Sequence, residues 1–316
     1  MKPASAEHVG HEAASRILLA VDSSSASLRA AHYVRTIALP QAHVRIVSVA
    51  EDPYRLIPLD PLVGMDLSSV QAALLRAAEE AVIQAQTILS NTGTVVDAKV
   101  IDLSRRGGDV TSVLLDAART WQASLLVVGT RQHHGFLAWL EGAISEPLAR
   151  LCRCAILVVP ASYEREVEQG PRRILFAVDG SAPSQCALQY GVQFARPQTL
   201  LRVVHVLDQP VDMGDFVPIA LFEDVLVKKG EAALAAAGTT LARLRITAES
   251  AMIRTDRTSY DVSHVIVKEA DHWRADLVVM GTHGRRGLSR WLLGSVASRV
   301  LRITHVPVLL VHPVDG

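Results

Sequence analysis

Aromatic residues make up only 4% of this chain, and its 316 residues include just three cysteines. So few thiols, in an odd number, exclude a disulfide-stapled scaffold and fit a reducing compartment. Charge of one sign is missing as well, because 32 Lys and Arg balance 32 Asp and Glu. Without net charge the chain lacks the field that gathers polyanions, which argues against nucleic-acid or anionic-membrane partners. No apolar run approaches the ~18 residues of a spanning helix; those such as Ala123–Gly129 have strand length. Residues 1–15 are polar, with Glu7, His8, His11 and Glu12, and lack the apolar core of a secretion signal. They read as a flexible arm whose two histidines are solvated, not metal-binding. The expectation is a soluble, cytoplasmic protein. What is present, 49% apolar and 20% charged residues, is the balance of a globular chain, and the length suggests two domains.

An internal repeat organises the sequence. Arg16-Ile17-Leu18-Leu19-Ala20-Val21-Asp22 returns as Arg173-Ile174-Leu175-Phe176-Ala177-Val178-Asp179, at an offset of 157 residues (173 − 16). Leu126-Val127-Val128-Gly129-Thr130 returns as Val278-Val279-Met280-Gly281-Thr282, at an offset of 152 (281 − 129). Trp139 and Gly142 match Trp291 and Gly294 at the second offset, and Ile156–Val159 matches Val308–Val311. The halves share start, middle and end, as a tandem duplication does. Between them runs Ser162–Pro171, charged, without apolar periodicity and closed by Gly-Pro. This places a first domain at 16–161, a linker at 162–171 and a second domain at 172–316.

Within each half, short Val/Ile/Leu runs alternate with helical patterns. The first half reads as strands at 17–21, 44–49, 95–101, 124–128 and 155–159, with helices at 26–38, 66–90, 110–121 and 142–151. The second half reads as strands at 174–178, 200–206, 247–253, 276–280 and 308–311, with helices at 184–195, 222–241, 260–272 and 294–303. Near-continuous apolar strands are those of a parallel sheet covered on both faces. The fold class is therefore α/β, two tandem doubly wound parallel-sheet domains of five strands each. Ligands of such sheets sit beyond the carboxyl ends of the strands, where strand order reverses.

Two features of the second half converge there. The first strand runs into Asp179-Gly180-Ser181, and the fourth into Gly281-Thr282-His283-Gly284, with Gly294-Ser295 opening a helix nine residues later. Glycines let backbone approach an anion, helix-start N–H groups point at it, and the Ser295 hydroxyl can donate. Asp179 can accept from a base, a ribose hydroxyl or a hydrated metal. The pattern is neither a Walker loop, since no Gly-Lys-Ser/Thr follows, nor a dinucleotide fingerprint, since the glycines follow the fourth strand.

Each half resembles a universal stress protein domain, and the chain from Arg16 to Pro313 is similar to the tandem members of that family. The most specific match is Gly281, Gly284 and Gly294-Ser295 to the family's ATP-binding pattern G-x2-G-x9-G-[S/T]; Ala177–Ser181 and Val204-His205-Val206 also match. The resemblance implies ATP, with Mg2+, held by Asp179, Val206, Met280, Gly281, Gly284, Gly294, Ser295 and Val296. It further implies a flavodoxin-like strand order and self-association through the last strand of each domain.

The first half departs from the pattern. Gln132 stands in place of Gly284, Ala143 in place of Ser295 and Ser48 in place of His205, and Glu141 adds negative charge before the helix. ATP binding there is expected to be weak or absent. The leading function is an ATP-dependent sensor or regulator in stress response, without a catalytic set of residues. The alternatives are a slow ATPase or autophosphorylating enzyme acting through Asp179 with Ser295 or Thr282, and a dimerising scaffold that needs no nucleotide. An adenylating enzyme is a remote fourth. Arg285, Arg286 and Arg290 read as cover for triphosphate charge or as a solvated basic loop. His133, His134 and His283 read as loop histidines. Residues 52–65 and 209–218 read as lids or long connections, and Trp139 and Trp291 as packing residues. Cys152-Arg153-Cys154 reads first as a pair of core thiols, with a redox pair as the alternative.

Overall fold

The computed structural model describes residues 14–56, 67–130, 145–165, 170–208, 219–255, 261–283 and 293–312. In the first half the strands are β1 (Arg16–Val21), β2 (His43–Ala50), β3 (Val95–Asp102), β4 (Leu125–Thr130) and β5 (Ala155–Pro160). In the second they are β6 (Arg173–Ala177), β7 (Leu200–Leu207), β8 (Glu249–Arg254), β9 (Leu277–Gly281) and β10 (Val308–Val311). The main helices are α1 (Ser25–Ile37), α2 (Ser68–Leu89), α3 (Val110–Thr120) and α4 (Ser145–Leu151), then α5 (Ala182–Gly191), α6 (Ile219–Arg243), α7 (Val262–His272) and α8 (Ser295–Ile303). Single helical turns at Pro53–Leu56 and Leu103–Arg106 fall where the sequence pattern gives only loops.

The ten strands of the described residues form one sheet, in the order β3-β2-β1-β4-β5-β10-β9-β6-β7-β8. Each half is parallel inside, with the order 3-2-1-4-5 and reversal between its first and fourth strands. The doubly wound, three-layer architecture expected from the sequence is present with that order. Side chains alternate along each strand with a period of two. Ile17, Leu19 and Val21 therefore pack on one face with α1, α2, α5 and α6, while Leu18 and Ala20 pack on the other with α3, α4, α7 and α8. Both cores run unbroken through the two halves.

The halves meet at β5 and β10, which pair antiparallel with Leu157 opposite Leu309. Leu309 is the repeat equivalent of Leu157 (309 − 157 = 152), so a pseudo-twofold axis passes through this pair. The last strands of the two halves thus pair with each other within the chain. An isologous interface makes each contact twice. Tyr33 Oη of α1 donates to the Asp276 carbonyl at 3.0 Å. Its equivalent, Tyr190 Oη of α5, donates to the Ser124 carbonyl at 2.9 Å. On the axis itself, Ser298 Oγ of α8 donates to Glu146 of α4 at 2.6 Å, and Arg302 completes a bidentate pair with the same carboxylate. The described linker residues join this seam. Tyr163 is buried, with its ring edge-on to Tyr33 at 5.7 Å, and Arg165 donates to the Ala275 carbonyl.

Candidate functional site

Because β5 and β10 run antiparallel, the carboxyl ends of the two halves point to opposite poles of the common sheet. In the second half β6 and β9 are neighbours, with Ala177 beside Met280. The chain leaves β6 for α5 on one face and reaches α8 on the other. A crevice opens where such connections diverge. Among the described residues, Asp179, Val206, Met280, Gly281, Gly294, Ser295 and Val296 all belong to the elements that meet at this pole. Gly284 lies outside the described residues, as do Arg285, Arg286, Arg290, Gln132, Ala143, Trp139 and Trp291.

Asp179 closes the start of α5. Its Oδ1 accepts from the Ser181 backbone N–H at 2.9 Å and the Ser181 hydroxyl at 2.6 Å, and Ser181 in turn caps the helix through the Ser184 N–H. The residue between them, Gly180, has φ of +82°, the left-handed region that favours glycine. Behind the turn, His205 is buried and its Nδ1–H donates to the Val178 carbonyl at 2.7 Å, tying the ends of β6 and β7 together. This ring also explains a glycine inside α6, because a Cβ at Gly230 would lie 2.8 Å from His205 Cδ2. Val206 and Val296 are half-buried and rest against the core; Met280 is buried. Ser295 is exposed at the first turn of α8.

Gly281 has a packing role that the motif alone does not disclose. A Cβ there would lie 2.9 Å from the Pro183 carbonyl carbon and 3.0 Å from the Ser184 nitrogen, at the first turn of α5. Beyond it, Thr282 is fully buried, and its carbonyl accepts the Gly294 N–H at 2.8 Å. This bond brings the start of α8 against the end of β9. Ser24, Asp109, Ser181 and Asp261 cap α1, α3, α5 and α7 through their side chains. At α8 the N-cap is Gly294, which has no capping side chain, as is also the case at Leu67 before α2.

Two histidines missed as site residues in the sequence extend from this point. His283 Nδ1 lies 3.0 Å from Thr282 Oγ1, His312 Nδ1 lies 3.2 Å from the same hydroxyl, and His312 Nε2 lies 3.2 Å from the Ala149 carbonyl of α4. One arrangement of protons satisfies these contacts. His283 donates to Thr282, Thr282 donates to His312, and His312 donates to Ala149. Burial pushes His312 down to about 4, aided by the nearby His283, whose own pKa burial also lowers. The relay joins the candidate site to a helix of the other half. His312 stands where the first half has Pro160.

The first-half pole repeats part of this construction. Asp22 Oδ1 accepts from the Ser24 N–H, the Ser24 hydroxyl and the Ser27 hydroxyl. Gly129 again sits against the first turn of its helix, where a Cβ would lie 2.3 Å from the Ala26 carbonyl oxygen. Ser23 replaces Gly180 and is not among the residues with positive φ. At the opposite end of each half's strands lies a second repeated feature. Arg16 and Arg45 stack on Trp121 at 4.8 and 4.9 Å, and Arg173 and Arg202 on Trp273 at 5.8 and 5.9 Å. No group of three or more His, Cys, Asp or Glu residues suited to a metal occurs among the described residues. None of their helices is long and apolar enough to cross a membrane.

These features define a class: a tandem, doubly wound α/β protein whose halves share one sheet. The chain belongs to the universal stress protein family, whose model matches residues 14–160 and 170–312. A universal stress protein of Mycolicibacterium smegmatis is 27% identical over 299 residues, 94% of this chain and 97% of its own length. One from Methanocaldococcus jannaschii is 32% identical over 159 residues, 48% of this chain and 87% of its own length. Among solved structures, a universal stress protein of Archaeoglobus fulgidus shares the fold with a TM-score of 0.67 and 18% identity, covering 94% of this chain and 96% of its own.

Proposed function

We propose that this chain is a cytoplasmic, ATP-binding regulator of the stress response with one competent nucleotide site, in the second half. The observation that carries the reading is the Thr282–Gly294 hydrogen bond at 2.8 Å. It holds the start of α8, which has no N-cap side chain, to the end of β9, the strand next to β6, and the Asp179 turn follows β6. Exposed N–H groups at a helix start, with the dipole behind them, favour a phosphate by roughly 0.3–1 kcal/mol per charge at the surface. In this reading Gly284, Gly294 and Ser295 hold the phosphates. Asp179, Val206 and Met280 meet the adenosine portion, while Gly281 and Val296 shape the crevice from behind. The donor set fits a polyphosphate. Mg2+ would come with the phosphates, since no protein cage for a metal occurs among the described residues.

In the first half Gln132 and Ala143 replace Gly284 and Ser295, which removes a backbone able to adopt positive φ and a hydroxyl donor. The test is calorimetric titration with ATP and Mg2+ of the native chain, Gly284→Asp and Ser295→Ala. Loss of all heat in Gly284→Asp and about tenfold weaker binding in Ser295→Ala, the loss of about one charged hydrogen bond, support the reading. Unchanged binding in both variants refutes it.

A further inference from the structure

Away from the nucleotide crevice, Cys152 and Cys154 bring their sulfurs within 3.2 Å of each other. Cys152 follows the last turn of α4, with its N–H on the Leu148 carbonyl at 2.8 Å. Cys154 leads into β5, the strand that forms the seam between the halves. Cys152 is buried and Cys154 half-buried, and neither is in a disulfide. The two sulfurs are not equivalent. Contact with the Cys154 thiol lowers the Cys152 pKa, and the backbone N–H groups of Cys154 and Arg153 act in the same direction. The same contact and burial raise that of Cys154, against the opposing effect of backbone hydrogen bonds from Cys154 and Leu126. The contact makes Cys152 the more readily ionised of the two sulfurs. A packing role for two small thiols does not require the sulfur–sulfur contact.

We propose that Cys152 and Cys154 are a reversible oxidation site at which a hydroperoxide closes a disulfide. The Cys152 thiolate attacks the peroxide, the O–O bond breaks, and a sulfenic acid and hydroxide result. Cys154 sulfur then attacks Cys152 sulfur. The sulfenic oxygen leaves as hydroxide, and the Cys154 proton is taken up to make water. In sum two thiols and one hydrogen peroxide give one disulfide and two waters, with both thiols oxidised and the peroxide reduced. A bond across a single intervening residue closes a tight ring, so thiol reductants reverse it readily. It ties the end of α4, which carries Glu146 and the Ala149 carbonyl, to the start of β5.

The sequence supplies its own diagnostic. Trypsin cuts after Arg153, leaving Leu151–Arg153 and Cys154–Arg165 as separate peptides unless a disulfide joins them. The full chain is treated with hydrogen peroxide, denatured, alkylated and digested. The expected result is the joined peptide pair, with Cys186 alkylated, and separation of the pair when dithiothreitol precedes alkylation. In a Cys154→Ser chain the first step stalls, so dimedone should label Cys152. Full alkylation of Cys152 and Cys154 after peroxide, or oxidation of Cys152 beyond sulfenic acid while Cys154 still alkylates, overturns the proposal.

Discussion

The two halves carry the same frame and different furniture at the pole where a ligand would sit. Both have an aspartate after the first strand that closes the first helix, through Asp22 and Asp179. Both have a glycine at the end of the fourth strand, a tryptophan under two arginines and a tyrosine that reaches into the opposite half. They differ at Ser23 and Gly180, Ser48 and His205, Gln132 and Gly284, Ala143 and Ser295, and Pro160 and His312. The shared residues therefore report the fold, and in the proposed reading the residues that differ decide what each pole can bind. Gly129 makes the distinction concrete. It persists in a half that lacks the rest of the phosphate pattern because the Ala26 carbonyl leaves no room for a side chain.

The largest expected effect follows from that glycine. Gly129→Ala places a Cβ 2.3 Å from backbone oxygen, whereas Gly281→Ala meets Pro183 and Ser184 at 2.9–3.0 Å. Overpacking against backbone costs about 3 kcal/mol or more in the first case and about 1–2 kcal/mol in the second. Urea unfolding of the two variants would show it, and equal losses would contradict the packing account.

A somewhat smaller effect sets the halves apart by pH. His312 is held at about 4 against an ordinary value of 6.5. The unfolded chain therefore takes up a proton before the folded one does. Stability is fully present above pH 6.5 and is lost as pH falls toward 4, by up to about 3 kcal/mol. His312→Gln should flatten this dependence in denaturant titrations from pH 7 to 4. A variant as acid-sensitive as the native chain would show that the relay through Thr282 does not control the response.

The smallest effect tests the pseudo-twofold seam. Tyr33→Phe and Tyr190→Phe each remove one hydroxyl from equivalent hydrogen bonds, costing about 1 kcal/mol apiece. The sites do not share a partner, so the double variant should lose the sum. A markedly unequal pair in thermal unfolding would mean that the two sides of the seam are not energetically equivalent.

Most of the frame was legible in the sequence, because strands buried on both faces must be written as runs such as Ile17–Val21 and Val278–Met280. The repeat offsets then matched the first, fourth and fifth strands of the two halves. The site was legible in part. Asp179, Gly281 and Gly294-Ser295 stand at one pole, as the spacing demanded. The packing role of Gly281 was hidden because it depends on how closely α5 approaches β9, a distance no local pattern encodes. Tyr33 and Tyr190 were missed for a related reason: their partners lie across the seam, 243 residues away for Tyr33 and 66 for Tyr190. Ser162–Pro171 read as a plain tether because one buried tyrosine among charged residues carries no periodicity. The tryptophans that sequence position made prominent, Trp139 and Trp291, lie outside the described residues. Trp121 and Trp273, which recur at the same 152-residue offset (273 − 121), are the ones seen between arginines.

The most direct test of the asymmetry is the number of ATP molecules bound per chain, measured by calorimetry on the native protein and on a Gln132→Gly, Ala143→Ser double variant. The account predicts one per native chain, in the second half, and a weak second site once the first-half residues are restored. Two per native chain, or none, would contradict it.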